Sequence, residues 1–268
     1  MYYLFIKRAM LAPAFLYLAS CGGILSQASE DTSTNALIAL AALAGSSCAS
    51  YSEPVISNSL FSGGTRTLYN VSGCDTAGWS RIGFTSDGTT QVSDASKVVT
   101  DSSYSGFGTN IEVTFTVTSA SGTLDVMTYG TGTFPGTSTT NPTVRIVAGS
   151  SCSAQARHSG TGALNNMSTC TDTTTLAVGS TYTYCIDFNR GTGSSGSYTG
   201  FGNMLAVWSR ACDQVASSER DQMADVKLMQ MMNIPTMNPN NSGKVGFSSN
   251  GISLKSFKIG NTIYSSMM

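Results

Sequence analysis

Apolar and polar positions alternate strictly through Val113-Thr114-Phe115-Thr116-Val117-Thr118, with valine and phenylalanine on one face and threonine on the other. A period of two is the period of a β-strand. Ser121-Gly122 follows, and a second strand-like segment, Leu124 to Tyr129, comes next. A two-residue loop at Ser121-Gly122 would pair Ala120 with Thr123, setting Val117 opposite Val126 and Phe115 opposite Thr128. The apolar faces coincide in that register, and a slip of one residue would turn one of them outward, so a hairpin is predicted. Asp87-Gly88 marks a second hairpin, between Arg81-Ile82-Gly83-Phe84 and Gln91-Val92. Asn250-Gly251 marks a third, joining Lys244-Val245-Gly246-Phe247 to Ile252–Ile259 through a type I′ turn. The last strand changes phase between Leu254 and Phe257, which predicts a β-bulge near Lys255-Ser256. Further strands are expected over Thr143–Val147, Thr181–Phe188 and Asn203–Arg210. One short helix is expected near 218–233, opened by the capping-box-like Ser218-Glu219-Arg220-Asp221 and stopped at Ile234-Pro235.

Many short strands punctuated by turn signals predict an all-β chain folded as an antiparallel β-sandwich. The closing unit, Val245-Gly246-Phe247, a tight turn and then Leu254-Lys255-Ser256-Phe257-Lys258-Ile259, resembles the end of laminin-G-like, concanavalin-type jelly rolls. Thr181-Tyr182-Thr183-Tyr184-Cys185-Ile186 and Leu205-Ala206-Val207-Trp208 sit where that family has its last central strands, and Gly78-Trp79 and Phe84–Gly88 fit its opening. The resemblance spans residues 65–264 and rests on patterns, not on catalytic signatures. It implies a jelly roll of a kind that commonly binds carbohydrate or protein and is in some cases part of a glycosidase. Fold alone does not choose among these.

Composition moves attention to the N-terminus. The formal net charge is -1 and only 11% of residues are charged, so there is no basic patch to suggest nucleic acid. Lys7-Arg8, the apolar stretch Ala9–Ala19 and the run Leu18-Ala19-Ser20-Cys21 have the layout of a lipoprotein signal, with Cys21 as the acylated residue. The apolar stretch is too short to span a membrane and ends at Gly22-Gly23. Acyl chains on Cys21 would provide the anchor, each buried methylene contributing about 0.8 kcal/mol. After a small, polar spacer comes Ala36-Leu37-Ile38-Ala39-Leu40-Ala41-Ala42-Leu43-Ala44, again too short to span. Lipobox, spacer and Leu/Ala run ending in Gly45-Ser46-Ser47 resemble the N-termini of leptospiral outer-membrane lipoproteins. That resemblance covers the first fifty or so residues and implies an outer-membrane location. The expected organisation is a signal peptide over 1–20, an acylated tether over 21–53 and a β-sandwich domain over 54–268.

Seven cysteines are present, and Cys21 is the odd one. Cys48, Cys74, Cys152, Cys170, Cys185 and Cys212 form an even set, as expected of disulfides in an exported protein, with the pairing left open. No Cys-x-x-Cys occurs and His158 is the only histidine, so neither a zinc site nor any other cofactor is expected. Met223, Met229, Met231 and Met232 could suit Cu(I), yet no His or Cys lies among them, and packing of flexible thioethers is the expectation. Catalytic chemistry is sparse. Glu112 and Asp125 would share the outer face of the first hairpin about 20 Å apart, too far for paired-carboxylate glycoside hydrolysis. His158 lies in a loop-like stretch without a nucleophile elbow. No enzymatic activity is expected.

Binding chemistry is the better prospect. On the strand from Thr181, Cys185 and Asp187 point away from the face formed by Tyr182, Tyr184, Ile186 and Phe188. If Cys185 bonds Cys212, then Trp208 and Arg210 share the outer face with Asp187, a group suited to ring stacking and planar hydrogen bonding of a sugar. The alternative places Trp208 in the core. The function expected is that of a lipid-anchored, surface-exposed outer-membrane lipoprotein, a non-catalytic, adhesin-like module for a host or matrix protein or glycan. A periplasm-facing structural envelope lipoprotein and a weak carbohydrate-active enzyme stand as alternatives.

Overall fold

The computed structural model describes residues 48–54, 65–86, 97–105, 109–130, 143–157, 165–166, 169–170, 175–191, 202–215, 228–232 and 242–261. The first half holds β1 (Ala49–Pro54), β2 (Thr65–Asn70), the helix α1 (Thr76–Arg81), β3 (Phe84–Ser86), β4 (Lys97–Thr100), β5 (Tyr104–Ser105), β6 (Thr109–Val117) and β7 (Thr123–Gly130). The second half holds β8 (Thr143–Val147), β9 (Ala154–Arg157), β10 (Asn165–Asn166), β11 (Thr169–Cys170), β12 (Thr181–Gly191) and β13 (Gly202–Trp208). A 3-10 turn at Cys212–Gln214 follows, then β14 (Leu228–Met232), β15 (Ser242–Asn250) and β16 (Ile252–Asn261). The strands form two antiparallel sheets packed as a β-sandwich, as the strand pattern predicted. Sheet I runs β1-β2-β16-β6-β12-β13-β14-β11, and sheet II runs β10-β9-β8-β7-β15-β4-β3 with β5 also on β15.

The strands were legible, but their partners were not. β6 pairs with β12 and β16 in sheet I, whereas β7 pairs with β8 and β15 in sheet II. Residues 118–122 therefore cross from one sheet to the other, and the predicted register of Ala120 with Thr123 does not form. The Asn250-Gly251 turn does the same between β15 and β16. Only Gly251 has positive φ there, +66°, so the turn lacks the two left-handed residues of type I′. The two crossings lie side by side. The amides of Thr118 and Ser119 both donate to the Gly251 carbonyl at 3.0 Å. A Cβ on Gly122 would collide with that same carbonyl oxygen. Two glycines thus let one crossing nest against the other, and β6 then pairs with β16 on one side while β7 pairs with β15 on the other.

The bulge appears where the phase change put it, as a register shift between Leu254 and Ser256 against β6. At the bulge the Lys255 carbonyl accepts from the Val71 amide at 3.0 Å. β3 pairs with β4, Phe84 opposite Thr100, and the expected partner Gln91-Val92 lies outside the described residues. Asp87-Gly88 lies outside the described residues. The expected helix near 218–233 is corrected at its C-terminal end: Leu228–Met232 is a strand pairing with β13 and β11, its backbone groups satisfied by two neighbours. Residues 216–227 lie outside the described residues. The sandwich also begins earlier than expected, because Ala49–Pro54, read as the end of the tether, pairs along its full length with β2.

The core fills from both inner faces. Ile111, Val113, Phe115 and Val117 of β6 face Val126, Val144 and Phe247 of sheet II, all wholly buried. Phe247 and Phe257 stack across the sandwich with ring centroids 4.2 Å apart, and Phe84, Tyr69 and Trp79 close around them. Each buried phenylalanine contributes about 2–3 kcal/mol of transfer free energy. Trp79 is presented by α1, whose N-cap Asp75 accepts from the Gly78 amide at 2.7 Å. The helix is tied to β1 by the Cys48–Cys74 disulfide and by Arg81 Nη2 donating to the Cys48 carbonyl at 3.2 Å. One buried polar contact joins the sheets: the Tyr184 and Ser153 hydroxyls stand 2.8 Å apart.

Candidate functional site

The two outer faces of the sandwich differ in what covers them. On sheet I one row of facing residues runs Leu68, Lys258, Glu112, Cys185 and Trp208 across five strands. The neighbouring row runs Glu53, Arg66, Gly260, Asn110 and Asp187. Period-two alternation makes this the outer face, since the intervening residues line the core. It is nevertheless closed. The chain leaves β13 and folds back over it, fixed by the Cys185–Cys212 disulfide, with Cα atoms 4.8 Å apart. The Cys212 amide donates to Glu112 Oε2 at 2.8 Å, and Val215 is fully buried. Residues 209–215 form a strap.

Beside the strap lies a group of four charges, Arg66 and Glu112 buried and Glu53 and Lys258 half-buried. Lys258 Nζ stands 3.2 Å from Glu112 Oε1 and 3.4 Å from Glu53 Oε1, and Arg66 Nη2 stands 3.0 Å from Glu53 Oε1. Gly260 makes room for Arg66, because a Cβ there would come within 2.8 Å of Arg66 Cγ. The two carboxylate oxygens share Lys258, so they can be no more than about 6.6 Å apart. That upper limit brings the two carboxylates as near as glycoside hydrolysis requires of its pair. Each carboxylate also faces a cation, which is the arrangement of a structural network in which charges are matched in low dielectric.

The conditional premise about Cys185 and Cys212 is correct, and its consequence is not. The disulfide forms and Trp208 does lie opposite Cys185 on the outer face. Trp208 is nevertheless wholly buried, so it offers no ring to a sugar in solution. The disulfide holds the segment that follows Trp208 back against β12. Arg210 is half-buried within the strap. Asp187 occupies a position on β12 between Asn110 and Ala206, and its side chain lies outside the described residues. Of the other cysteines, Cys48 bonds Cys74. Cys152 carries a free, half-buried thiol that donates to the Ala154 carbonyl, against its expected place in a disulfide, and Cys170 enters the description only as backbone of β11. Cys21 and His158 lie outside the described residues. Among the described residues no three His, Cys, Asp or Glu converge as a metal site.

Sheet II has a different outer face. Lys97, Ser248, Asp125, Arg145, Gln155 and Asn166 face one another in sequence across six strands, an unbroken polar row. Adjacent strands stand about 4.8 Å apart, so the stretch from Ser248 to Gln155 spans about 14 Å. Lys97, Ser248, Arg145 and Gln155 are half-buried. At the centre Arg145 grips Asp125 with two bonds, Nε to Oδ1 at 2.6 Å and Nη2 to Oδ2 at 2.7 Å. This pairing with Asp125 holds the Arg145 proton still more firmly than usual, against a smaller opposing effect of burial. The next row of the same face, Gly246, Met127 and Thr143, is buried, so the polar row borders a closed edge. Glu112 and Asp125 therefore sit on opposite outer faces, further from cooperation than the hairpin register implied. The sequence reading missed both the charged quartet and the polar row. Alternation could have flagged Asp125 and Arg145 as outward, but the pairing of β7 with β8 could not be read from it.

No protein-family model matches the sequence, and no curated protein matches it. Among solved structures the chain is similar to the carbohydrate recognition domain of Emp46p, at 13% identity over 63% of this chain and 80% of that one, with a TM-score of 0.37. It is also similar to alginate lyase Aly36B in complex with an alginate trisaccharide, at 10% identity over 74% of this chain and 81% of that one, TM-score 0.31. A second Aly36B structure, in complex with an alginate tetrasaccharide, gives 10% identity, 75% and 81% coverage and a TM-score of 0.29. Likeness at this level says nothing of ligand or activity, and the chain stands, on its own strand pairing, as an antiparallel β-sandwich.

Proposed function

We propose that this chain is a lipid-anchored outer-membrane lipoprotein, acylated at Cys21 and displayed at the cell surface. Its sandwich acts there as a non-catalytic, adhesin-like module for a host or matrix protein or glycan. The observation that carries the reading is the polar row on the outer face of sheet II, where half-buried donors and acceptors stand in a line without an interrupting apolar side chain. Such a surface suits a ligand with regularly repeated polar groups. The lipobox ending at Cys21 supports the anchor. Protease treatment of intact cells, followed by binding of the released or purified protein to matrix proteins and a glycan array, tests the two halves. Display predicts cleavage alongside known surface proteins. Full protection of the chain while those proteins are degraded overturns it.

A second reading, a carbohydrate-active enzyme, is favoured by one observation, the closeness of Glu53 and Glu112. Turnover of a polysaccharide that disappears in Glu112→Gln would support it. The ion pairing of both carboxylates and the strap over them favour the binding role.

A further inference from the structure

We propose that Arg145 is the reader of an acidic glycan, one bearing carboxylate or sulfate groups, on the outer face of sheet II. The proposal rests on the binding-module reading above and adds to it a site and a ligand class. It starts from what this surface lacks. Sugars without charge are held largely by stacking on exposed aromatic rings, supported by planar hydrogen bonds. Among the described residues both tryptophans are buried, and the only large hydrophobic side chain that stands exposed is Val178. Stacking is therefore not what the described surface offers, and charge-assisted hydrogen bonds are the stronger remaining contact.

Arg145 is arranged to make them. Its Nε and Nη2 are both committed to Asp125, whose side chain is only 10% exposed, and the guanidinium plane is fixed by that fork. The Arg145 side chain is itself 31% exposed. Among the described residues it has no partner but Asp125, so the guanidinium edge that includes Nη1 remains for a ligand. A guanidinium held by one edge presents the other as a preorganised pair of donors, matched to the two oxygens of a carboxylate or sulfate. Less conformational entropy is lost on binding because the side chain is already ordered. Ser248 and Gln155 flank the pair one strand away on either side, and Lys97 ends the row. The guanidinium edge that Asp125 leaves open carries donors only, and charged ones, which favours an anion.

The test uses the full chain on an array of uronate- and sulfate-bearing oligosaccharides, together with neutral oligosaccharides of the same backbones. The expected result is binding to the acidic members, loss when their carboxyl groups are reduced, and weakening with added salt. Arg145→Lys keeps the charge and the contact with Asp125 but removes the second fork, and is expected to weaken binding about tenfold. Should that variant fail to fold, Lys97→Gln at the end of the row is expected to weaken acidic-glycan binding about two- to threefold with the salt dependence reduced. Equal binding of acidic and neutral glycans, no binding of acidic ones, or unchanged binding in Arg145→Lys overturns the proposal. Binding to neutral glycans or matrix proteins alone overturns it while leaving the binding-module reading intact. Binding to nothing on either panel removes both.

Discussion

Glu112 is the residue on which the closed face of sheet I depends, and replacing it separates two contributions. Its Oε2 accepts from the buried Cys212 amide at 2.8 Å, and its Oε1 stands 3.2 Å from Lys258 Nζ. Glu112→Gln preserves shape and an acceptor for the amide but removes the charge. Lys258 keeps Glu53 at 3.4 Å, so the expected loss is about 1–2 kcal/mol. Glu112→Ala also orphans the Cys212 amide beneath the strap, a further penalty of about 1–3 kcal/mol, and opens a space beside it. The total expected is about 3–5 kcal/mol, in the range for breaking a buried charge pair by removing one partner. Urea unfolding under oxidising conditions, which keep the Cys185–Cys212 bond, measures both variants against the parent. The alanine variant should also lower Tm by about 10 °C for a domain of this size. A third protein, Glu112→Leu with Lys258→Met, removes both charges of this pair and is expected to recover much of the loss. If the alanine and glutamine variants lie within about 0.5 kcal/mol of each other, the amide contact does not anchor the strap and the reasoning fails.

Three further outcomes follow from the packing. Gly122→Ala places a methyl group against the Gly251 carbonyl, backbone against backbone, and should cost about 2 kcal/mol or more in urea unfolding; a change below about 0.5 kcal/mol would show that the two crossings are not nested as described. Trp208→Ala should lose about 3–5 kcal/mol of stability, while its folded fraction binds any glycan as the parent does; lost binding at unchanged stability would restore the exposed-ring reading. Tyr104, hydrogen-bonded to Tyr69 at 3.0 Å, has its phenol pKa raised above the ordinary 10.0, first by burial and then by that bond. The unfolded chain releases this proton above about pH 10 while the folded chain keeps it. The contribution is therefore complete below that pH and declines above it, by up to about 1.4 kcal/mol per pH unit. Tyr104→Phe should show a shallower decline of the urea midpoint between about pH 9 and 11, and identical slopes would refute the assignment.

The strands could be read from alternation, and the sheets could not, for a reason visible at Val117 and Val126. In a hairpin their side chains would stand side by side on one face. In a crossing between sheets each lies on the inner face of its own sheet, which is what occurs. Both arrangements bury the same residues, so an apolar pattern ending in a tight Ser-Gly or Asn-Gly turn is equally satisfied by either. The bulge at Lys255 was legible because a phase change within one strand is a local property. The Met-rich segment misled in the opposite sense: a capping signal and good helix formers suggested helix, yet Leu228–Met232 pairs on both edges, and tertiary pairing overrides local propensity. The charged quartet had no local signature. Glu53, Arg66, Glu112 and Lys258 come from four strands and meet only because β1, β2, β16 and β6 are adjacent in sheet I.

The fates of Glu112 and Asp125 show why function is better sought on sheet II. Both are outward-facing carboxylates next to a cross-strand cation, Lys258 in one case and Arg145 in the other. The strap adds a backbone amide to Glu112, so both of its oxygens are engaged within the protein, one by Cys212 and one by Lys258. Arg145 has a fixed edge and an open one, and is about a third exposed. A carboxylate whose two oxygens are both engaged within the protein contributes to which structure forms, whereas a charge pair with a preorganised donor edge at the surface can still exchange water for a ligand at small cost in order. Removing the strap's anchor should therefore alter stability first, and altering Arg145 should alter binding first.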